Sequence, residues 1–297
     1  MSIWKHAEAI GSGTLDLSSD CRFCGTQMRA LDIDEWPHTP PLYLETHYEQ
    51  MFQGEYSFLE IHGLHDHPEI WRIEDTPSEM YMGGHVCPAC GWWSVGQQVA
   101  FYSRTQIWDL YFGCEGVLCS LDLTDINVQI KDIRQFMMAN YGSRFSIHPR
   151  KLEEVVGSVL GDLGYETVVT AYSGDGGIDV VLRNRIGERI GVQVKRYKDS
   201  IRVEQIRSFA GALMLGGFTR GIFVTTSRYQ SGAYATAQCA ATSCVPIELL
   251  DADGFREALD IAQLVGQDPA VDAFNMLMSK EAHPQLHFIC EFHRNSL

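Results

Sequence analysis

The sequence lacks a segment suited to spanning a membrane and lacks a secretory signal. Its longest nearly uninterrupted apolar run, Ala210–Phe218, is far too short to span a bilayer, and the N-terminus has no basic stretch followed by an apolar one. Basic residues are also scarce, with 23 Lys and Arg against 38 Asp and Glu. We therefore expect a cytoplasmic protein with no membrane partner. The net charge of −15 taken alone argues against nucleic-acid binding.

The composition that remains is that of a folded protein. Hydrophobic residues make up 45% and charged residues 21% of the 297 residues, which suffices for a core and excludes a disordered or fibrous chain. This length fits one large or two ordinary domains. Nine cysteines without a secretory signal indicate reduced thiols, used as metal ligands or packed in a core.

Charge is unevenly distributed along the chain. Residues 1–150 carry 9 basic and 20 acidic side chains, a net charge of −11. The stretch Arg183–Arg207 instead holds eight basic and three acidic side chains, a net charge of +5. Such a basic strip predicts contact with a phosphate backbone. A solvated hairpin and helix face is the alternative interpretation.

Local patterning divides the chain into four parts. We predict an N-terminal domain over 1–120, a helical connector over 121–148, a regular domain over 149–262 and a C-terminal extension over 263–297. The connector helix is indicated by an apolar stripe from Ile126 to Met137. In the regular domain, the order α-β-β-β-α-β-α-β predicts an α/β fold, a mixed sheet flanked by helices.

Two C-x-x-C-G units in the N-terminal domain predict a metal site. A zinc ion takes four soft ligands in a tetrahedron, and each C-x-x-C turn supplies two thiolates. The glycine after each second cysteine allows the left-handed backbone that the turn requires. Buried free thiols or a redox pair are the alternatives. The predicted ligands of this structural zinc, in a small α+β domain, are Cys21, Cys24, Cys87 and Cys90.

A second group of polar residues lies in the regular domain. Asp179 opens a strand after a glycine-rich turn, and Gln193 and Lys195 leave the same face of the next strand. Glu153 lies on the helix that precedes these strands. Carboxylates can bind Mg2+, and a lysine beside the metal can orient or deprotonate the attacking water in phosphodiester cleavage. Polar residues at the rim of a sheet are the alternative.

Residues 149–251 resemble the catalytic domain of Mrr-type (type IV) restriction endonucleases, members of the PD-(D/E)xK nuclease superfamily. The N-terminal domain resembles a zinc ribbon but no recognised family. Seven ordered blocks carry the Mrr resemblance: Leu152–Val156, Leu163–Tyr165, Gly174–Val181, Gln193–Tyr197, Phe209–Ala212, Gly221–Ser227 and Ile247–Asp251.

The resemblance implies a restriction-endonuclease-like fold and assigns roles to four residues. Asp179 would be the main ligand of Mg2+ or Mn2+, and Lys195 the catalytic lysine. Gln193 occupies the place where many superfamily members have a carboxylate, and Glu153 would compensate for it, with Glu154 as the alternative. We expect the basic strip to contact DNA through Arg183, Arg185, Arg189, Arg196 and Lys198.

The leading hypothesis is a metal-dependent DNA endonuclease in restriction or defence against phage. It would act as a homodimer or with a partner protein, and the acidic N-terminal domain would serve recognition or regulation. One alternative is a catalytically weak or inactive nuclease-fold protein that binds nucleic acid or acts as a scaffold, since fold alone does not imply chemistry. Another is an RNA nuclease.

Overall fold

The structure is a computed structural model that describes residues 3–6, 19–31, 78–102, 106–170, 176–243, 245–266 and 291–296. None of the helices in these ranges has the length and apolar character needed to cross a bilayer. In chain order, the elements are β1 (Trp4–His6), β2 (Arg29–Leu31), β3 (Ser78–Val86), β4 (Trp93–Tyr102), β5 (Gln106–Leu118), α1 (Ile130–Ala139), a 3-10 helix (Tyr141–Phe145), α2 (Pro149–Asp162), β6 (Glu166–Val169), β7 (Val180–Arg183), β8 (Arg189–Lys195), α3 (Val203–Leu215), β9 (Arg220–Thr225), α4 (Ser231–Ser243), β10 (Ile247–Leu250), α5 (Ala252–Gly266) and β11 (Glu291–Ser296).

The N-terminal part forms an antiparallel sheet around the long strand β5. The strand order is β1-β5-β4-β3-β2, and β11 pairs with the same edge of β5 as β1 does. Because β11 comes from the end of the chain, the C-terminal extension supplies a strand to the N-terminal sheet.

A separate five-stranded sheet has the order β10-β9-β8-β7-β6. Strands β8, β9 and β10 are parallel, whereas β6, β7 and β8 form an antiparallel meander. Helices link the parallel strands, as such connections require. This mixed sheet with flanking helices confirms the predicted α/β fold of the regular domain.

The connector was predicted to be one long helix, but the structure shows a shorter one. Helix α1 covers only Ile130–Ala139, and a 3-10 turn follows it. The residues before α1 form side-chain turns instead: Asp122 Oδ1 accepts from the Thr124 N–H at 2.9 Å, and Asp125 Oδ1 from the Asn127 N–H at 2.8 Å. Such turns compete with helical hydrogen bonding. Ile126 is consequently 56% exposed rather than part of an apolar stripe.

The mixed sheet has a hydrophobic core on each face. Helices α3 and α4 cover one face, with Phe209, Leu213 and Phe223 among the buried residues. The other face packs on α2, α5 and the connector, and this core continues without a break to the cysteines of the N-terminal part. A buried hydrogen bond strengthens the junction: Gln263 Nε2 on α5 donates to the Ala89 carbonyl at 3.0 Å. The described N-terminal segments and the mixed sheet therefore share one core.

Close packing of α3 on β9 yields a stability prediction. A Cβ added at Gly221 would collide with Leu213 and lie 2.9 Å from Phe209 Cε1, both of them buried. We expect Gly221→Ala to lower the free energy of unfolding by about 1–3 kcal/mol through overpacking. The control Gly211→Ala lies within α3, where an added Cβ meets nothing within 4 Å. It should raise the same free energy by about 1 kcal/mol, the helix propensity difference. Equal effects in urea denaturation would contradict this packing.

Candidate active site and metal centre

The candidate active site lies at the end of the mixed sheet where β8, β9 and β10 finish and β7 begins, which we call the carboxyl edge. The main chain of Asp179 already belongs to the sheet, because its N–H donates to the Val192 carbonyl at 2.8 Å and its carbonyl accepts from the Thr170 N–H at 3.0 Å. Strand β7 itself begins one residue later, at Val180. Continuing the pairing of Val180 with Val192 by one residue places Asp179 opposite Gln193.

The carboxylate of Asp179 is nearly removed from water. The residue is 7% exposed, and its Oδ2 accepts a hydrogen bond of 2.6 Å from the Val194 N–H. A backbone donor at this distance stabilises the ionised form of the carboxylate. The bond also fixes the direction of the carboxylate relative to β8. The carboxyl edge thus holds a carboxyl group in a fixed direction.

Two further predicted residues lie beside Asp179 on β8. Val192 and Val194 face the core shared with the cysteines, so the alternating residues Gln193 and Lys195 face the opposite side of the sheet. Both are partly exposed. Gly177 lies close by with φ of 88°, and a Cβ there would be 3.3 Å from Gln193 Nε2. Glycine at this position therefore leaves room for the Gln193 amide.

Glu153 reaches the carboxyl edge from the other face, on helix α2. Its Oε2 accepts from Arg150 Nη1 at 3.1 Å, and the same Nη1 donates to the Thr170 carbonyl at 2.7 Å. Thr170 in turn bonds the main chain of Asp179. Glu153 is thus connected to Asp179 through Arg150 and Thr170. The alternative Glu154 pairs with Lys151 at 2.9 Å and with Arg150 at 3.5 Å.

The carboxyl edge is also where four helices begin. Helices α3, α4 and α5 follow β8, β9 and β10 after loops of seven, five and one residues, and α2 starts beside the end of β6 because it runs back along that strand. The first N–H groups of a helix have no partners within the helix and carry partial positive charge. Four such ends at one edge favour an anion there, and this contribution needs no basic side chain.

The five basic residues expected to bind DNA do not lie together. Arg183 and Arg189 pair across the β7–β8 hairpin, with Arg185 in its turn. A strand rises about 3.3 Å per residue, so Arg189 lies about 20 Å along β8 from Lys195. Arg196 and Lys198 follow β8 and belong to the carboxyl edge. The hairpin arginines are thus close to Lys195 in sequence but distant from it in space.

Two of these arginines have contacts within the protein. The guanidinium of Arg189 lies over the Phe218 ring, 4.8 Å from its centroid. Arg196 Nη1 donates to the Ile147 carbonyl at 2.6 Å. Arg183, Arg185 and Lys198 are exposed.

The four predicted zinc ligands converge, although 62 residues separate Cys24 from Cys87. The Sγ atoms all lie within 4.8 Å of one another, with 3.6 Å between Cys21 and Cys90 and 3.4 Å between Cys24 and Cys87. A tetrahedral zinc with bonds of about 2.3 Å requires sulfur separations of about 3.8 Å. The donor set therefore fits zinc. Within the described residues, no other group of three or more Cys, His, Asp or Glu side chains is close enough to share an ion.

The two knuckles have matching backbones. Gly25 and Gly91 have φ of 77° and 75°, as the sequence predicted for these turns. The N–H of each glycine donates to the carbonyl of the first cysteine of its unit, at 2.7 and 2.9 Å. Each turn thereby directs two sulfur atoms to the same point.

Without a cation, the four thiols compete for protons. Hydrogen bonds with Cys21 and Cys87 hold the pKa of Cys24 far below its ordinary value. Hydrogen bonds with Cys21 and Cys24 raise the pKa of Cys90 above its ordinary value. Four thiolates at this spacing repel one another, and zinc removes that cost by replacing the protons.

The mixed sheet and its flanking helices form the α/β architecture expected of residues 149–251. Residues 145–259 match the family model Mrr_cat, described as restriction endonuclease. This match confirms the resemblance of the segment to Mrr-type restriction endonuclease domains that was drawn from the sequence. The four-cysteine cluster lies outside this match.

The chain is similar to one curated protein, the type IV methyl-directed restriction enzyme EcoKMrr of Escherichia coli (strain K12). The two are 35% identical over 99 residues, which are 31% of this chain and 33% of the relative. The similarity thus spans about a third of the relative's length.

Two solved structures show weaker similarity. The ATP-dependent Type ISP restriction-modification enzyme LlaBIII bound to DNA has a TM-score of 0.29 and 19% identity, over 44% of this chain and 8% of that one. The EndoMS-dsDNA2 complex has a TM-score of 0.26 and 10% identity, over 59% of this chain and 84% of that one. Both scores are too low to establish a common architecture.

Several residues that organise the carboxyl edge had no predicted role. Arg150 links Glu153 to Thr170, and the hydroxyls of Thr225, Thr226 and Ser227 bond the main chain that follows Lys195. Three consecutive hydroxyl residues ending the apolar strand β9 are a signal visible in the sequence. Arg150 gave no comparable signal, because an arginine in the first turn of a helix is usually a solvated charge.

The cysteine geometry predicts about one zinc per chain in protein purified without added metal. Cys87→Ser should abolish that zinc and make the protein sensitive to protease, because the site belongs to the shared core. Cys239→Ser, which removes an exposed cysteine outside the cluster, is the matched control and should retain zinc. Elemental analysis and limited proteolysis measure both effects. Zinc-free wild-type protein with a compact N-terminal part would refute the site.

Proposed function

We propose that the chain is a metal-dependent DNA endonuclease that hydrolyses phosphodiester bonds in the cytoplasm, in restriction or defence against phage. The observation that carries the proposal is the buried carboxylate of Asp179, oriented by the Val194 N–H beside Gln193 and Lys195. A buried charge costs stability unless it is compensated, so retaining one at a sheet edge favours a functional role. The Mrr-type domain supports the same reaction class.

The residues at the edge fit the chemistry. Asp179 and Gln193 offer oxygen ligands for Mg2+ or Mn2+, and Glu153 adds a second carboxylate from helix α2. The metal would stabilise charge on the phosphate and ionise the attacking water. Lys195 would orient that water or deprotonate it, or stabilise the developing charge as a cation. Arg150 would set the direction of the Glu153 carboxylate through its hydrogen bond.

The electrostatics of the carboxyl edge favour a phosphate backbone despite the overall charge of −15. Four helix N-termini and the exposed residues Arg196 and Lys198 contribute positive potential there. The N-terminal part, with its zinc site, would recognise a target or regulate the nuclease. Since duplex cleavage needs two cuts, we propose a homodimer or a complex with a partner protein of a defence system.

The discriminating experiment incubates pure protein with plasmid DNA and with RNA, in the presence of Mg2+, Mn2+ or EDTA. We expect cleavage of DNA that EDTA abolishes. Cleavage of RNA alone would replace the DNA nuclease by an RNA nuclease. Binding of either nucleic acid without cleavage would favour the inactive nuclease-fold protein, in which the ion pair of Glu153 with Arg150 already satisfies the carboxylate.

Substitutions at the carboxyl edge test the assigned roles. Asp179→Asn should lower the cleavage rate at least about 100-fold, because an amide lacks the charge that binds the cation. The fold should survive, since the amide oxygen can still accept from the Val194 N–H. Lys195→Ala should have an effect of similar size. Asp199→Asn, an exposed carboxylate after β8, is the matched control and should cleave normally. Wild-type rates in either site variant would remove the site assignment.

The separation of the basic residues predicts unequal contributions to DNA binding. Lys198→Gln, at the carboxyl edge, should reduce the slope of log K against log salt concentration by about 0.9, the value for one phosphate contact. Arg185→Gln removes an equally exposed charge in the distant hairpin and should leave the slope unchanged. Affinity measured by fluorescence anisotropy at several salt concentrations gives both slopes. A larger change for Arg185→Gln would move the DNA path to the hairpin.

A further inference from the structure

The segment that follows Lys195 is held by a row of hydroxyl groups at the end of β9. Thr225 Oγ1 donates to the Lys195 carbonyl at 3.1 Å, and Thr226 Oγ1 donates to the Tyr197 carbonyl at 2.9 Å. Ser227 Oγ continues the row by donating to the Asp199 carbonyl at 2.7 Å. Every second carbonyl from 195 to 199 is therefore bound by a side chain. We call these three hydroxyl residues the hydroxyl ladder.

The hydroxyl ladder begins where the backbone pairing of β8 and β9 ends. The last regular pair is Lys195 with Thr225, and the Thr226 N–H still donates to the Lys195 carbonyl at 3.1 Å. Beyond that point the chain after β8 is exposed, whereas the hydroxyl residues are between 1% and 7% exposed. Within the ladder, Thr225 Oγ1 also accepts from the Ser227 N–H at 3.2 Å and lies 3.3 Å from Ser227 Oγ. Buried hydroxyls reduce the apolar surface available for packing, and each of these three hydroxyls bonds a carbonyl of the 195–199 segment.

The connector fastens the hydroxyl ladder from the other side. Arg144 Nε, in the 3-10 helix, donates to the Thr226 carbonyl at 3.0 Å, and its guanidinium lies over the Phe145 ring at 4.1 Å. In return, Arg196 donates to the Ile147 carbonyl of the connector at 2.6 Å. Thr226 of the ladder and Arg196, the neighbour of Lys195, are thereby both bound to the connector. The two bonds are independent of the pairing between β8 and β9.

We propose that Thr225, Thr226 and Ser227 are positioning residues that hold Lys195 at the carboxyl edge, and that Arg144 fastens them to the connector. This inference rests on the proposed nuclease function, in which Lys195 acts on water or phosphate. The three hydroxyls bond main-chain carbonyls of the 195–199 segment, so the ladder acts on the position of the Lys195 backbone. The functional nuclease unit then begins at about Tyr141, inside the predicted connector.

The test compares two threonines that make the same kind of bond at opposite ends of β9. Thr226→Val removes the donor to Tyr197, and Thr219→Val removes the donor from Thr219 Oγ1 to the Arg189 carbonyl, at the far end of the sheet. We expect Thr226→Val to lower kcat by about 10- to 100-fold with KM nearly unchanged, because a small displacement of a catalytic group has this effect. Thr226→Ser should restore the rate, and Thr219→Val should leave it unchanged.

A second variant and a second readout keep the test decisive. Arg144→Lys leaves the hydroxyls intact but loses the planar Nε donor, so it should also lower kcat. This variant replaces Thr226→Val in the test if Thr226→Val fails to fold. Amide hydrogen exchange of residues 195–201 should accelerate in Thr226→Val and not in Thr219→Val, whether or not the protein cleaves DNA. A wild-type protein without cleavage would remove the proposed function alone. Equal exchange and equal kcat in the two valine variants would overturn the positioning role.

Discussion

A nearly buried carboxylate at the carboxyl edge imposes the constraint from which the site follows. An ionised group at 7% exposure is costly unless donors or a cation compensate it. The Val194 N–H is one such donor, and it reaches the Asp179 carboxylate only when β7 and β8 pair in the observed register. A shift by one residue would exchange the two faces of β8 and bury Lys195. The position of Asp179 and the direction of Lys195 are thus set together.

The same register connects the site to the rest of the molecule. Val192 and Val194 enter the core shared with Cys87, Cys90 and helix α5, while their neighbours Gln193 and Lys195 face the carboxyl edge. The four-cysteine cluster is therefore part of the packing beneath the mixed sheet. Loss of zinc would loosen this core as well as the N-terminal sheet. This coupling gives the N-terminal part a physical route to regulate the nuclease, which is a proposal that rests on the shared core.

Much of the nuclease domain could be predicted from its sequence. Strand β8 and helix α3 lie where the apolar periodicity of Arg189–Lys195 and Val203–Leu215 indicates a strand and a helix. The two C-x-x-C-G units also predicted their convergence, since four thiols at metal-ligand spacing fit one ion. The sequence did not reveal the division of the basic strip, because a hairpin separates its ends by the length of β8.

The connector shows a different limit of the sequence. Its apolar stripe favoured one long helix, but the side chains of Asp122 and Asp125 form turns before Ile130. After α1, Arg144 in the 3-10 helix bonds the Thr226 carbonyl at the end of β9. Tertiary contacts outweighed helical periodicity there. The sequence of the C-terminal extension also predicts a helix over 268–280, which lies outside the described residues. The predicted division at residues 120 and 149 remains a proposal about function, since the described parts on either side pack in one core.

The most direct measurement of the central claim is the position of a bound divalent ion. A crystal of the full chain with DNA and Mn2+, analysed by the anomalous scattering of manganese, would locate that ion independently of the refined protein atoms. We expect manganese bound to the Asp179 carboxylate beside Gln193, with the Lys195 ammonium group and a DNA phosphate next to it. Manganese on other residues, with Asp179 making only protein contacts, would show that the carboxyl edge is not the metal site.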